Sequence, residues 1–152
     1  MATVTCSLHQ TEVRELHAGL QAVSSKHSVT STCTASSVFL LAKVPHGASI
    51  LDFAFYCADG AANQEWDIGI QKPEGSTSGS VTVSTSALAQ DWSNTGGGIL
   101  RRQANLKLPY KVSISDEATP RWAWIIATNA VALSESAIMT FSAIYQMDAD
   151  QA

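Results

Sequence analysis

The chain is poor in charged residues. Of its 152 residues only 14% are Asp, Glu, Lys or Arg, against roughly 25% in an ordinary soluble domain. Nine basic residues stand against 13 acidic ones, which leaves a net charge of −4. The basic surface that nucleic-acid binders and proteins on anionic membranes require is therefore excluded, and we expect neither nucleic acid nor a membrane as a partner. A coiled coil is excluded as well, because it needs many Glu, Lys and Leu residues.

Cysteine is scarce, and long apolar runs are lacking. Cys6, Cys33 and Cys57 are an odd set without a CxxC pair, which predicts free thiols in a reducing compartment and no disulfide framework. The longest apolar run, 122–127, is far shorter than the roughly 20 residues that cross a bilayer. The first six residues show neither a basic n-region nor an apolar h-region. We therefore expect no signal peptide and synthesis under cytoplasm-like conditions.

Small hydroxyl side chains and a period of two take the place of the charges. Ser and Thr supply 19 and 13 residues, which suits strands whose outward face is polar and small. Apolar and polar residues alternate, so that Leu51, Phe53 and Phe55 should share one buried face. Trp124 and Phe141 should be buried as well. About nine strands are predicted, at 20–24, 28–34, 38–43, 51–57, 66–71, 81–84, 110–115, 122–127 and 137–146. Both faces of 122–127 are apolar, which predicts a strand that is covered on both sides.

Sequence patterns typical of turns and helices lie between or beside these predicted strands. Pro45-His46-Gly47 predicts a tight turn, since Pro restricts φ and Gly allows a positive φ. One internal segment, 86–92, has the pattern of a two-turn helix with Ser86 as its N-cap. A weaker helical pattern covers 12–16.

These elements predict an all-β chain that folds as an antiparallel β-sandwich, jelly-roll-like, with one short helix. A closed up-and-down barrel is the alternative, which uneven loop lengths disfavour. Residues 1–18 lack the alternation and are predicted to form an N-terminal arm, while residues 19–152 form the sandwich domain.

Residues with the spacing of a catalytic or metal site are not evident. The four histidines form neither HxH nor HExxH. The segment 75–79 resembles a G-x-S-x-G nucleophile elbow, but Thr77 stands at its centre and no helix is predicted after it. Asp52, Asp67 and Asp91 are isolated carboxylates, typical of a solvated surface. We therefore predict a protein that is not an enzyme, with no cofactor and no metal.

Aromatic and basic residues suggest binding surfaces. Aromatic platforms stack on sugars, so four tryptophans leave a carbohydrate-binding module as an alternative function. Trp66, Trp122 and Trp124 share strand periodicity with aliphatic residues, however, which favours a core or a subunit interface. Arg101 and Arg102 form a basic cluster that either faces an acidic partner or lies in a solvated loop.

Several stretches of the chain together resemble a known family. They are Glu-Leu-His-Ala-Gly at 15–19, the segment 41–52 with its Lys-Val-Pro-His-Gly-Ala, the segment 122–128, and the segment 136–145. Over about residues 15–147 the chain resembles the small structural proteins of tailed bacteriophages that decorate the head, also called cement proteins. The resemblance implies β-sandwich domains without catalysis, attached as oligomers to the major capsid protein on the outer surface of the virion. A tail, neck or fibre-base component is the alternative.

The same resemblance leads us to expect a homotrimer, because decoration proteins of this kind often lie on local threefold axes; a homodimer is the alternative. The arm is too apolar for a solvated tail, so we expect it to order on the capsid or on an adjacent protomer. An arm that folds back onto its own sandwich is the other interpretation. The predicted interface residues are Val4, Leu8, Val13 and Leu16 of the arm, Pro45, His46 and Gly47 of the turn, and Arg101 and Arg102.

Overall fold

The computed structural model describes residues 3–5, 14–15, 19–58, 65–72, 82–93, 108–113, 122–133, 135 and 137–147. Within these ranges the chain forms strands and no α-helix, so no described helix could cross a membrane. The strands are β1 (Thr3–Thr5), β2 (Arg14–Glu15), β3 (Leu20–Ser28), β4 (Val38–Pro45), β5 (Ala48–Ala58), β6 (Glu65–Gln71), β7 (Thr82–Ser93), β8 (Tyr110–Lys111), β9 (Trp122–Asn129) and β10 (Ile138–Met147).

Two sheets make up the fold, with strand orders β1-β4-β9-β6-β7 and β2-β3-β10-β5-β8. Neighbouring strands are antiparallel, except that β1 runs parallel to β4. From β3 to β10 the chain changes sheet at every connection but the one between β6 and β7. Without the short edge strands β1 and β2, the strands β3 to β10 form two four-stranded layers, and their order is that of a jelly roll. The predicted antiparallel β-sandwich is confirmed, and the alternative of a closed barrel is wrong because the two sheets are separate.

An aromatic cluster lies at the centre of the layer between the sheets. The ring of Phe55 is 5.0 Å from that of Trp66 and 6.1 Å from that of Trp92, both edge-on. Phe39 approaches Trp66 from β4, at 5.9 Å between ring centroids. Edge-to-face pairs of this kind add to the stabilisation that burial of the rings supplies. The predicted burial is confirmed for Phe53, Phe55, Trp124 and Phe141.

Strand β9 is covered on both faces, as its sequence predicts. Ala123, Ile125 and Ala127 point into the layer between the sheets. Trp124 and Ile126 point the other way and form a second buried cluster with Val38 and Leu40 of β4, against which Trp122 packs. Trp124 is therefore buried, but outside the core between the two sheets.

The predicted burial of Leu51 is wrong, because a β-bulge changes which side of β5 this residue faces. The register between β5 and β10 shifts at Ile144, so that Ile144 lies opposite Asp52 while the next residue, Tyr145, lies opposite Ile50. Because one residue of β5 is left without a partner, the alternation slips by one position there. Ile50 is fully buried and Leu51 only half-buried.

Both predicted helices are wrong. The segment 86–92 lies in β7, which pairs with β6 through three irregularities. Leu88 and Trp92 are four residues apart, a spacing that shares one face in a strand as well as in a helix, and both are buried in the core. At one of the three irregularities Asp91 has a φ of 50°. Of the weaker helix, 12–16, the described part is the strand β2.

Two predicted strands are also wrong in extent, whereas the turn between β4 and β5 is confirmed. Strand β3 runs through Ser28, and the rest of 28–34 contributes only an isolated bridge from Cys33 to Leu133. Strand β8 comprises only the first two residues of the predicted 110–115. Gly47, with a φ of 87°, joins β4 to β5 in a backbone conformation that favours glycine. Neither Cys33 nor Cys57 forms a disulfide, and Cys6 lies outside the described residues.

Candidate interaction surfaces

The outward side of β3, β10 and β5 is an exposed and partly apolar surface. Strand β10 lies between the other two and alternates between core and surface. Ile138 and Ile144 are each 37% exposed on its outward side, and Val131 is the only other exposed large apolar residue among those described. The sequence contains this signal, since both isoleucines fall on the polar side of the alternation, but it did not lead us to predict an interface there.

Small side chains leave a depression in the middle of this surface. The register places Ser24 of β3 and Ala54 of β5 on either side of Ser142. A depression of about 350 Å³ lies over these three residues, bordered by Tyr56 and Thr140. A second depression, of about 180 Å³, adjoins it and is lined by Asp52, Ala54, Ser142 and Ile144 among others. We call the outward residues of the three strands the sheet face: Ser24, Lys26, Ser28, Asp52, Ala54, Tyr56, Ile138, Thr140, Ser142, Ile144 and Gln146.

The sheet face carries one charge of each sign, at diagonally opposite corners. Lys26 lies beside Thr140, two residues along β10 from Ser142. Asp52 lies on the other side of β10, beside Ile144 and two residues from Ser142 in the opposite direction. The remaining sheet-face side chains are neutral, so a partner that covers them buries no further charge.

A second surface feature is an aromatic pair capped by a lysine. The rings of Trp122 and Trp124 meet edge-on, with centroids 5.4 Å apart. The Lys43 ammonium lies 4.5 Å from the centroid of Trp122 and 5.2 Å from that of Trp124, which is cation–π geometry. Because the ammonium lies over the rings, where a stacked sugar would have to lie, this arrangement weighs against the carbohydrate-binding alternative.

A polar depression of about 190 Å³ lies where β6, β7 and β9 meet, and it includes three carboxylates, those of Glu65, Asp67 and Asp91. Asp67 Oδ1 accepts a 2.8 Å hydrogen bond from the backbone N–H of Asp91. Nearby, Asn129 Nδ2 donates to the carbonyl oxygens of Thr34 and Val131, at 3.1 and 2.8 Å. The Asp67–Asp91 bond joins β6 to β7, and the Asn129 bonds tie loop residues to the end of β9. Among the described residues, no His, Cys, Asp and Glu side chains are grouped so that they could hold a metal ion.

The interface residues predicted from sequence are not brought together among the described residues. Pro45 and His46 are half-buried, and Gly47 is buried. The Gly47 N–H donates to the Val112 carbonyl at 2.9 Å, and the Val112 N–H donates to Ala48 at 2.8 Å, which ties the turn to the chain after β8. Val4 lies in β1, opposite Phe39. The other predicted interface residues, Leu8, Val13, Leu16, Arg101 and Arg102, lie outside the described residues.

The described parts of the predicted arm pair with the sandwich. Strand β1 extends one sheet next to β4, and β2 extends the other next to β3. Both are edge strands of the same chain. The remaining residues of 1–18 lie outside the described residues.

His27 is a buried titratable group on the inward side of β3, opposite Met139. Desolvation by burial lowers its pKa from the ordinary value near 6.5, because the charged imidazolium loses more hydration than the neutral ring does. The unfolded chain consequently binds a proton at His27 at a higher pH than the folded chain does. Protonation therefore favours unfolding, and stability is lost as the pH falls below about 6.5.

We expect the free energy of unfolding to fall between about pH 7 and pH 5.5, and His27→Gln to reduce that fall. Urea denaturation of both proteins at the two pH values measures the difference. His46→Gln, in the half-buried turn, is the matched control for the His-to-Gln change itself and is measured at the same two pH values. A His27→Gln protein with the full pH dependence would show that other groups cause it.

Comparison with known proteins finds similarity in structure only. No protein-family model matches the chain, and no curated protein does. A chain in the solved capsid of Ralstonia phage GP4 is similar in structure, with a TM-score of 0.66 and 13% sequence identity, over 96% of this chain and 98% of that one. At this identity the similarity shows a shared fold.

Two further capsid structures are more distant. A chain of the Cyanophage Pam1 capsid asymmetric unit has a TM-score of 0.47 and 13% identity, over 85% of each chain. A chain of the acidic stable capsid of Helicobacter pylori bacteriophage KHP30 has a TM-score of 0.43 and 12% identity, over 84% of this chain and 93% of that one.

Proposed function

We propose that the chain is a non-enzymatic structural protein of a phage virion, which decorates the capsid and stabilises it. The observation that carries the proposal is the structural similarity to a chain of the Ralstonia phage GP4 capsid, since it extends over 96% of this chain and 98% of the other. A full-length match to a capsid chain supports a virion role for the domain as a whole. The resemblance over residues 15–147 to head decoration proteins supports the finer assignment.

The surface chemistry supports attachment to other proteins. The described outward residues of β3, β10 and β5 are mostly Ser, Thr, Ala and Ile. Such side chains lose little rotamer entropy and little hydration when a partner covers them. The net charge of −4 is of the sign that DNA repels.

The proposed partner is the major capsid protein, on the outer surface of the virion. A protein that binds the assembled lattice and not its free subunits stabilises the lattice by mass action. Many weak and equivalent contacts suffice, because the lattice repeats the same site. We propose contacts through the arm residues Val4, Leu8, Val13 and Leu16, with the turn 45–47 and the pair Arg101 and Arg102 as secondary contacts.

Deleting residues 1–14 tests the role of the arm in this attachment. We expect the truncated protein to keep the β-sheet circular dichroism spectrum of the full chain and to bind undecorated phage heads at least about tenfold more weakly, a loss of about 1.4 kcal/mol. Co-sedimentation with purified heads measures the binding. A chain that lacks residues 148–152 serves as the control for shortening and should bind as the full chain does.

The outcomes separate the proposals. Unchanged head binding by the truncated protein contradicts the proposed role of the arm and favours an arm that folds back onto its own sandwich. A full-length chain that binds purified tails and not heads contradicts decoration of the capsid and favours the tail, neck or fibre-base alternative.

The oligomeric state is a further part of the proposal. The family resemblance favours a homotrimer, with a homodimer as the alternative. The sheet face has features that favour twofold self-association.

A further inference from the structure

We propose that the sheet face is where two copies of this chain pack on each other, about a twofold axis that places Lys26 of each copy against Asp52 of the other. The proposal concerns the free chain in solution and does not require attachment to a capsid. It is carried by three features of the sheet face: its exposed isoleucines, the depression over its small residues, and the diagonal placement of its two charges.

The exposed residues make the sheet face an unusual outer surface for a domain that stays alone. Ile138 and Ile144 are exposed on the middle strand of the sheet, whereas exposed strands of monomeric proteins commonly carry charged side chains that oppose association. Ser24, Ala54 and Ser142 between them are small, so a second protein can approach the backbone of the sheet closely. Covering Ile144 removes apolar surface from water, which favours association.

The two charges are placed symmetrically about Ser142. Adjacent strands lie about 4.8 Å apart, and residues along a strand rise about 3.4 Å each. Lys26 is one strand to one side of Ser142 and two residues along, and Asp52 is the same offset in the opposite direction. Each is therefore about 8 Å from Ser142 on one straight line across the sheet.

One twofold axis places each of the two charges against the opposite charge of the other copy. It lies parallel to the sheet, passes over Ser142, and is perpendicular to the line from Lys26 to Asp52. Rotation about it exchanges the two positions, so that two copies form two equivalent ion pairs, as an isologous interface requires. A twofold axis parallel to β10 would instead place Lys26 over Tyr56, and neither charge would then meet the opposite charge of the other copy.

The same axis also places the exposed Ile144 favourably. It crosses the β10 strands of the two copies at about 70°, near the orthogonal packing that face-to-face sheets adopt. On ideal strand spacing, Ile144 of one copy then lies next to Ser24 of the other, at the margin of the 350 Å³ depression. The Ile144 side chain of one copy can therefore fill part of the depression on the other copy.

A charge exchange tests the proposed geometry. Sedimentation equilibrium of the full chain, from about 1 to about 100 μM, should show a dimer. Lys26→Asp and Asp52→Lys should each raise the dissociation constant at least about tenfold, because each places like charges together. The double variant restores both pairs with their signs reversed, and it should return the dissociation constant to within about threefold of the original.

A second pair of variants tests the apolar contact and guards against misfolding. Ile144→Lys should abolish the dimer, whereas Val131→Lys should leave it, although Val131 is the more exposed residue, at 43% against 37%. Circular dichroism checks that every variant retains the fold. A chain that is monomeric or trimeric at all these concentrations overturns the proposal, as does a double charge variant that stays as weak as the single ones.

Head binding is measured separately from self-association. A chain that remains monomeric in solution and binds heads overturns the twofold interface and leaves the capsid role standing. A chain that dimerises through the sheet face and does not bind heads supports the interface and contradicts the capsid role.

Discussion

Phe55→Ala is expected to lower the free energy of unfolding by about 3–5 kcal/mol. Phe55 is fully buried and faces the indoles of Trp66 and Trp92. Truncation removes the transfer free energy of the ring and leaves a cavity between two sheets. The ladder of hydrogen bonds between β5 and β10 limits how far the backbone at Phe55 can move to close that cavity, so a cost in the upper part of the range for large-to-small substitutions is expected.

Urea denaturation of the variant and the natural chain, analysed as a two-state transition, measures this loss. Tyr56→Ala is the matched control, because Tyr56 is the next residue of β5 and points outward. It removes a ring of similar size from the surface and should cost less than about 1 kcal/mol when measured at low protein concentration. A Phe55→Ala loss no larger than that of Tyr56→Ala would contradict the placement of Phe55 at the centre of the core.

Gly69→Ala is expected to cost about 3 kcal/mol or more, an unusually large effect for one added methyl group. Gly69 is buried in β6, at the point where β7 departs from regular pairing between Ile68 and Ile70. A Cβ atom at Gly69 would overlap the carbonyl oxygen of Ser84 and the carbonyl group of Thr85. These are backbone atoms, so the clash cannot be relieved by a side-chain rotation, and β7 itself would have to shift.

Gly19→Ala separates this clash from the general cost of replacing glycine. Gly19 has a φ of 76°, and nothing lies within 4 Å of a Cβ added there. The substitution should cost only the strain of a left-handed conformation, about 1–2 kcal/mol. Thermal or urea unfolding of both variants compares the two effects, and equal losses would show that β7 does not pass close to Gly69.

The sandwich and the side of each strand that faces the core could be predicted from the sequence. Alternation with a period of two requires only that neighbouring side chains point to opposite faces, so Phe53, Phe55 and Phe141 were correctly predicted to be buried. The tight turn at Gly47 could be predicted for the same local reason, because the need for a positive φ is a property of the chain at that point.

The candidate site could be predicted only in part. The residues of the sheet face are visible in the sequence as the outward half of each alternation. Their value as a surface depends on register, because only pairing brings Ser24, Ser142 and Ala54 side by side and puts Lys26 and Asp52 at opposite corners. These residues come from three strands that are distant in sequence, so no local pattern encodes their juxtaposition.

What the sequence determined by itself was therefore the period of the chain and the class of the fold, since both follow from interactions between residues close in sequence. The tertiary structure alone decided where that period breaks. The segment 86–92 has helix-forming residues but pairs with β6, because the core contacts of Leu88 and Trp92 outweigh local helix propensity. The bulge that buries Ile50 in place of Leu51 likewise arises from fitting β5 against β10, an interaction across more than 80 residues of chain.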